Sequence, residues 1–359
     1  MTPTVTSALI LSVALACQPG GGGQRPLSPE EVARRESKHL TNIRQATFGF
    51  FRAGEGYFSR DGKKIVFQAV PNLPESIFLE PGANQYEYQI YVADLEAGAK
   101  PKMISTGEGA CTCAYFAPDG KSIIFGSTHL NPAPPSRPQS AYSRSGSRYR
   151  WSFPDGMDIF RYDLERGGLT RLTDADGYDA EGSYSDDGKS IVFTSMRDGD
   201  AEIYMMDADG KNQRRITDAR GYDGGPFFSP DGQRIIYRSD RAGNDLLQIF
   251  VNNVEGSEER QLTDNEAVNW GPFWHPDSKH IVYSTSRHGH SNYELYLMDV
   301  DSGDEERLTY HDGFDGLPVF SPDGKKLMWT SNARGTDRNS QLFIADFTLD
   351  PAPEPKESR

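Results

Sequence analysis

Four histidines, a set of carboxylates and three thiols are the groups in this 359-residue chain that could do chemistry. His129, His288, His290 and His311 could hold a divalent transition metal through neutral imidazole nitrogens, helped by nearby carboxylates. Only His288 and His290 are close in sequence, so no ligand motif of diagnostic spacing accompanies them. Cys111 and Cys113 stand two residues apart. On a strand their Cα atoms would be roughly 6.5 to 7 Å apart, at or past the usual disulfide limit, which predicts packed thiols. No GxSxG phrase offers a serine nucleophile. With 52 acidic against 38 basic side chains the net charge is −14, which argues against a general nucleic-acid binder, so no nucleic acid is expected as partner.

What must position these groups is a repeat. The stretch from Phe58 to Phe67, an aromatic residue, a polar turn with Asp61-Gly62 and an apolar triplet, recurs from Phe116, Tyr184, Phe228, Trp274 and Phe320. The turn aspartates Asp61, Asp119, Asp187, Asp231, Asp277 and Asp323 are 58, 68, 44, 46 and 46 residues apart, so the first two units carry insertions. Asp-Gly tolerates the positive φ of a tight turn, which makes each copy a hairpin; Ser278 replaces the glycine once. A third strand of alternating character follows at residues 89–94, 158–163, 202–207, 248–253, 294–299 and 341–346, and a fourth around Met103, Leu172, Ile216, Leu262 and Leu308. The last unit lacks its fourth strand, and His39-Leu40-Thr41 is the unused piece. The reading is an all-β, six-bladed β-propeller over residues 39 to 349, closed by an N-terminal strand in the last blade, which removes the exposed sheet edges.

These phrases resemble the TolB-like, or PD40 (WD40-like), propeller repeat of bacterial envelope proteins over nearly the whole mature chain. The resemblance extends to Ser195-Met196-Arg197, Ser239-Asp240-Arg241, Ser286-Arg287 and Ser331 to Arg334, and to Gly177-Tyr178-Asp179, Gly221-Tyr222-Asp223 and Gly313-Phe314-Asp315. TolB itself carries an α/β domain ahead of its propeller, for which residues 18 to 38 leave no room, so a role in the Tol-Pal system is not implied. The repeat also resembles the propellers of prolyl-oligopeptidase-type and tricorn peptidases. Without a nucleophile elbow a serine peptidase is not expected.

In a propeller the second-to-third and fourth-to-first connections share one face, and the Asp-Gly turns lie on the other. Alignment puts Cys111, Asp179, Asp223, Asn269 and Asp315 in one column at the start of the innermost strand, with Ala53 in the first blade. Two residues on, and expected to point the same way, stand Glu55, Cys113, Glu181, Gly225, Gly271 and Leu317. An acidic channel mouth follows, with Glu55, Asp179, Glu181, Asp223, Asn269 and Asp315 as candidate ligand contacts. A recurring turn aspartate also bonds backbone amides, which gives Asp179, Asp223 and Asp315 a structural reading beside that one. Arg197, Arg241, Arg287 and Arg334 are expected to tie neighbouring loops. Insertions at residues 71 to 87 and 131 to 154 decorate the same face; the second carries Arg144, Arg148 and Arg150 with no acidic residue, and suggests a basic lid or recognition arm.

Residues 1 to 17 hold no charged side chain, and the apolar run Ala8 to Ala16 is too short to span a bilayer as a helix. Ala14-Leu15-Ala16-Cys17 resembles a bacterial lipoprotein box, which implies lipidation of Cys17, and Gln18 resembles an outer-membrane sorting signal. The expected organisation is a signal peptide at 1–17, a flexible tether at 18–38, the propeller at 39–349 and a disordered tail at 350–359. The expected protein is exported and periplasmic, touching the outer membrane only through its lipid. Its expected function is that of a monomeric, non-catalytic module without cofactor, binding an envelope protein, peptide or glycan on the loop face at the channel mouth. The alternative is a metal-dependent polysaccharide lyase or hydrolase built on the four histidines.

Overall fold

The computed structural model describes residues 27–72, 87–96, 98–131, 142–145, 148–151, 153–335 and 339–351. The signal segment with Cys17, parts of both insertions and residues 352–359 of the tail lie outside them.

Each repeat folds as its turn chemistry dictates. Gly62 takes φ 66° and its N–H bonds the Ser59 carbonyl, while Asp61 accepts from the Ser59 hydroxyl (2.6 Å) and the Lys63 amide (3.1 Å). Ser185 with Asp187 and Ser321 with Asp323 repeat this arrangement, and Ser278 adopts φ 59° at the position where glycine is otherwise used. Behind every turn runs a second strand whose apolar triplet is buried on both sides, as at Ile191, Val192 and Phe193, or Leu327, Met328 and Trp329. Each such side chain contributes about 1.5–3 kcal/mol.

Six four-stranded sheets result. The inner strands are Phe50–Phe58, Cys111–Phe116, Asp179–Tyr184, Asp223–Phe228, Asn269–Trp274 and Asp315–Phe320. The third strands begin at Gln89, Asp158, Glu202, Gln248, Glu294 and Gln341, where the repeat placed them; the outer strands are two or three residues long in blades 1 to 5. In blade 6 the outer strand is Leu40–Gln45, paired antiparallel with Gln341–Phe347 as Leu40 to Phe347 and Thr41 to Asp346. The ring is closed by the N-terminal segment as expected. One further hairpin, Tyr142–Ser145 with Arg148–Trp151, stands within the second insertion.

Within the segment expected as a flexible tether, Pro29–Glu36 is a helix capped by Ser28. Its last residue, Glu36, is buried and bonds Arg334 (2.6 Å) and the Tyr310 amide (2.9 Å). Among the described residues no helix is long and apolar enough to cross a membrane.

Candidate functional site

The inner strands do not alternate as ideal strands. Each carries a β-bulge, as between Ala180 and Ser183 or Thr112 and Tyr115, and the bulged residue is left-handed in all six blades: Glu55 (φ 47°), Cys113 (53°), Glu181 (58°), Gly225 (60°), Gly271 (59°) and Leu317 (53°). The extra residue re-aims the side chains around it. The two columns, expected to face one way, therefore part company.

Asp179, Asp223, Asn269 and Asp315 are buried and turned away from the channel. Asp179 pairs with Arg197 (2.9 Å), Asp223 with Arg241 (2.9 Å) and Asp315 with Arg334 (3.1 Å). Two of these arginines also lie over third-strand rings, Arg197 on Tyr204 and Arg241 on Phe250, and Arg334 lies over Trp329 of the second strand. Asn269 bonds Gln248 (2.9 Å) instead. Arg197, Arg241 and Arg287 thus tie carboxylates within their own blades rather than loops to one another, Arg287 holding Glu305, while Arg334 also reaches Glu36 of the N-terminal helix.

Glu55, Cys113 and Glu181 do line the central channel, in a small chamber with Arg238, Leu317 and the rings of Tyr57, Phe227 and Phe273. Glu181 makes a 3.0 Å ion pair with Arg238; their side chains are 11% and 9% exposed. The Glu181 carboxylate also accepts from the Thr194 hydroxyl (2.8 Å), the Tyr222 hydroxyl (2.9 Å) and the Gly225 amide (2.6 Å). Arg238 lies so close over Gly225 that a Cβ there would meet its Nη1 at 2.0 Å, which accounts for the glycine. Burial raises Glu55, against a hydrogen bond from Cys113 and with added repulsion from Glu181, and burial pushes the Cys113 thiol well up. That makes Cys113 an inert thiol rather than a nucleophile.

Aromatic side chains close the chamber toward the loop face. Tyr178 and Tyr222 are buried there, with Phe153, at the end of the second insertion, edge-on to Tyr178 (5.1 Å) and stacked on Tyr222 (5.6 Å). Toward the turn face the rings of Tyr57, Tyr115, Phe227 and Phe273 pack against one another at 5.0–6.2 Å between centroids. Beyond them opens a funnel drawn from all six blades, enclosing roughly 860 Å³ of non-atom space with open solvent included. Prolines Pro118, Pro230, Pro276 and Pro322 form its rim, which the ion pair Arg60–Asp186 bridges. Sequence reasoning missed this site by looking to the opposite face. The signal was present, as a Pro two residues past the strand-end aromatic in four repeats.

The histidines are not brought together. His129 bonds Ser127 (2.9 Å) and packs on Phe160, His288 bonds the Tyr296 hydroxyl (2.9 Å), His290 is half-buried in the same loop as His288, and His311 is exposed. Among the described residues no three His, Cys, Asp or Glu side chains converge on a metal position. Arg144, Arg148 and Arg150 lie on the inserted hairpin, with side chains outside the described residues.

Residues 196–289 and 245–349 match the family model of PD40, the TolB beta propeller domain. Among solved structures, putative TolB from Agrobacterium tumefaciens is similar with a TM-score of 0.57 at 22% identity, covering 83% of this chain and 91% of that one. TolB from Acinetobacter baumannii gives 0.55 at 22%, covering 83% and 79%. Oligogalacturonate lyase from Vibrio parahaemolyticus gives 0.51 at 14%, covering 86% and 94%. At these identities the likeness is one of fold. In sequence, a 163-residue stretch is 29% identical to dipeptidyl-peptidase 5 of Porphyromonas endodontalis; it spans 40% of this chain and 23% of that protein.

Proposed function

We propose that this chain, whose blades belong to the PD40, TolB-like propeller family, is a binding module that takes an apolar segment of a partner protein into its turn-face funnel. The observation that carries the reading is the funnel itself, which presents aromatic rings from all six blades and prolines from four of them. Such a lining suits an extended, proline-tolerant peptide. A sugar needs several convergent polar groups, and here the rim's charged side chains, Arg60 and Asp186, already satisfy each other. This reading puts the ligand on the turn face rather than the loop face, where the rings of Phe153, Tyr178 and Tyr222 pack against one another.

Photo-crosslinkers at positions 230, 322 and 143 separate the two faces. With envelope extract, positions 230 and 322 are expected to capture one protein, and capture at 143 alone would return the ligand to the inserted hairpin.

Export and lipidation of Cys17 belong to the same proposal, supported by the apolar segment ahead of it. Cys17→Ser is expected to move the protein from the membrane fraction to the soluble one. Recovery of that variant wholly with membranes would refute a lipid anchor.

A further inference from the structure

The blades, compared with one another, show a substitution pattern where they meet. The residue opening each third strand faces the residue opening the next blade's inner strand, across a repeated backbone bond such as Asp223 N–H to Ala201 O or Asp315 N–H to Tyr293 O. Two of the junctions differ in kind. Between blades 4 and 5 the pair is Gln248 and Asn269, joined directly, and the outer strand supplies a neutral Gln261 beside it. Between blades 2 and 3 the pair is Asp158 and Asp179, and two guanidinium groups attend it, Arg171 on Asp158 (2.7 Å) and Arg197 on Asp179. Amides go with an amide and carboxylates with arginines, so both junctions are neutral.

The junctions of blades 3 with 4 and 5 with 6 are not, whereas those of blades 1 with 2 and 6 with 1 pair Gln89 with Cys111 and Gln341 with Ala53 and carry no carboxyl. At the junction of blades 3 and 4, Arg215 stands where Arg171 stands, but turns to Asp198 and Asp218 (3.3 and 2.7 Å). Glu202 is left with the Thr217 hydroxyl (2.5 Å) and the Ala219 amide, facing Asp223 and Asp200, while Arg241 serves Asp223 and Glu259. At the junction of blades 5 and 6, Arg307 holds Glu294 (2.6 Å), and Arg334 is shared between Asp315 and Glu36. Three buried carboxyls there face two guanidiniums. An uncompensated buried charge is more costly than a proton.

We propose that the Glu202/Asp223 and Glu294/Asp315 junctions each hold a proton between their carboxyl groups at near-neutral pH, making closure of the ring a proton-linked device that tightens in mild acid and loosens in alkali. Burial, with repulsion from Asp223 and Asp200 added, pushes Glu202 up to about 7 against the Thr217 hydrogen bond. Burial and the Asp315 charge push Glu294 up to about 9 against Arg307 and Thr309. The proton belongs to each pair rather than to one member. A glutamate in the unfolded chain loses its proton near pH 4.3, so the folded state binds the extra proton above that value. Stability therefore falls as pH rises, up to about pH 7 at the first junction and about pH 9 at the second.

Unfolding equilibria at pH 5, 7 and 9 test this on the full chain, with the double variant Glu202→Gln/Asp223→Asn, which copies the Gln248/Asn269 junction, and the single variant Glu294→Gln. One proton corresponds to about tenfold per pH unit in the folding constant. The wild type is expected to lose that much relative to the double variant between pH 5 and 7, and relative to Glu294→Gln between pH 5 and 9. Parallel profiles would overturn the proposal. Infrared spectra of the folded protein at pH 6 supply a readout independent of stability. A protonated-carboxyl carbonyl band that weakens in each variant supports the assignment, and a wild type without one refutes it.

Discussion

Arg238→Ala lowers the unfolding free energy by about 3–5 kcal/mol, measured by denaturant titration, because it strands the Glu181 carboxylate inside the channel. That is a large share of the roughly 5–15 kcal/mol a domain has. Lysine is not expected to restore it, since the planar guanidinium also lies against Tyr222 (5.5 Å) and Trp270 (5.9 Å). Removing both charges is a different experiment. In Glu181→Gln/Arg238→Met no ion is left buried, and most of the loss is recovered. A single Arg238→Ala variant within about 1 kcal/mol of wild type would mean that water reaches Glu181 and that the chamber is open.

The second large effect lies at the seam. Deleting residues 27–45 removes Leu40 from the side chains of Phe320, Trp329 and Phe343 and removes Glu36 from Arg334. Loss of a buried leucine costs about 2–5 kcal/mol, and an arginine left with one of two carboxylates adds to it. Blade 6 is also left with a three-stranded sheet and an exposed edge along Gln341–Phe347. The truncated chain is expected to lose its single cooperative transition and to aggregate, whereas Leu40→Ala in the intact chain shifts the midpoint while keeping one transition. An unchanged midpoint after truncation would show that the seam is not what closes the ring.

Blade number and hairpins were legible because each rests on local chemistry repeated six times, a turn that is Asp-Gly in five copies and Asp-Ser in one, an apolar triplet, and a third strand opening with Asp, Glu or Gln, and closure was legible because the last copy lacks a fourth strand. The orientation of the channel residues was not legible from alternation. A bulge breaks the two-residue period between Asp179 and Ser183, and the period was the whole basis for giving Asp179 and Glu181 one direction. A sign of it was nonetheless printed in the column, where Gly225 and Gly271 occupy the positions of Glu55, Cys113, Glu181 and Leu317; recurring glycine in a strand marks a bulge or positive φ. Left-handed backbone costs a non-glycine residue about 1–2 kcal/mol, so Glu55 and Glu181 are held there by their surroundings. The junction chemistry was hidden for another reason. Glu202 and Asp223 come from different sheets, and only the ring brings them together.

The strand Leu40–Gln45 waits for a partner some three hundred positions downstream. If the polypeptide is threaded through a translocon amino end first, the earlier blades can assemble in turn as they emerge, but the last cannot. Its opening segment must stay unengaged, with Leu40 uncovered, until Phe343 and Phe347 have been delivered. Completion therefore waits until residues through Phe347 have emerged, and the interval before it is when a chaperone or a protease has its best access to the protein.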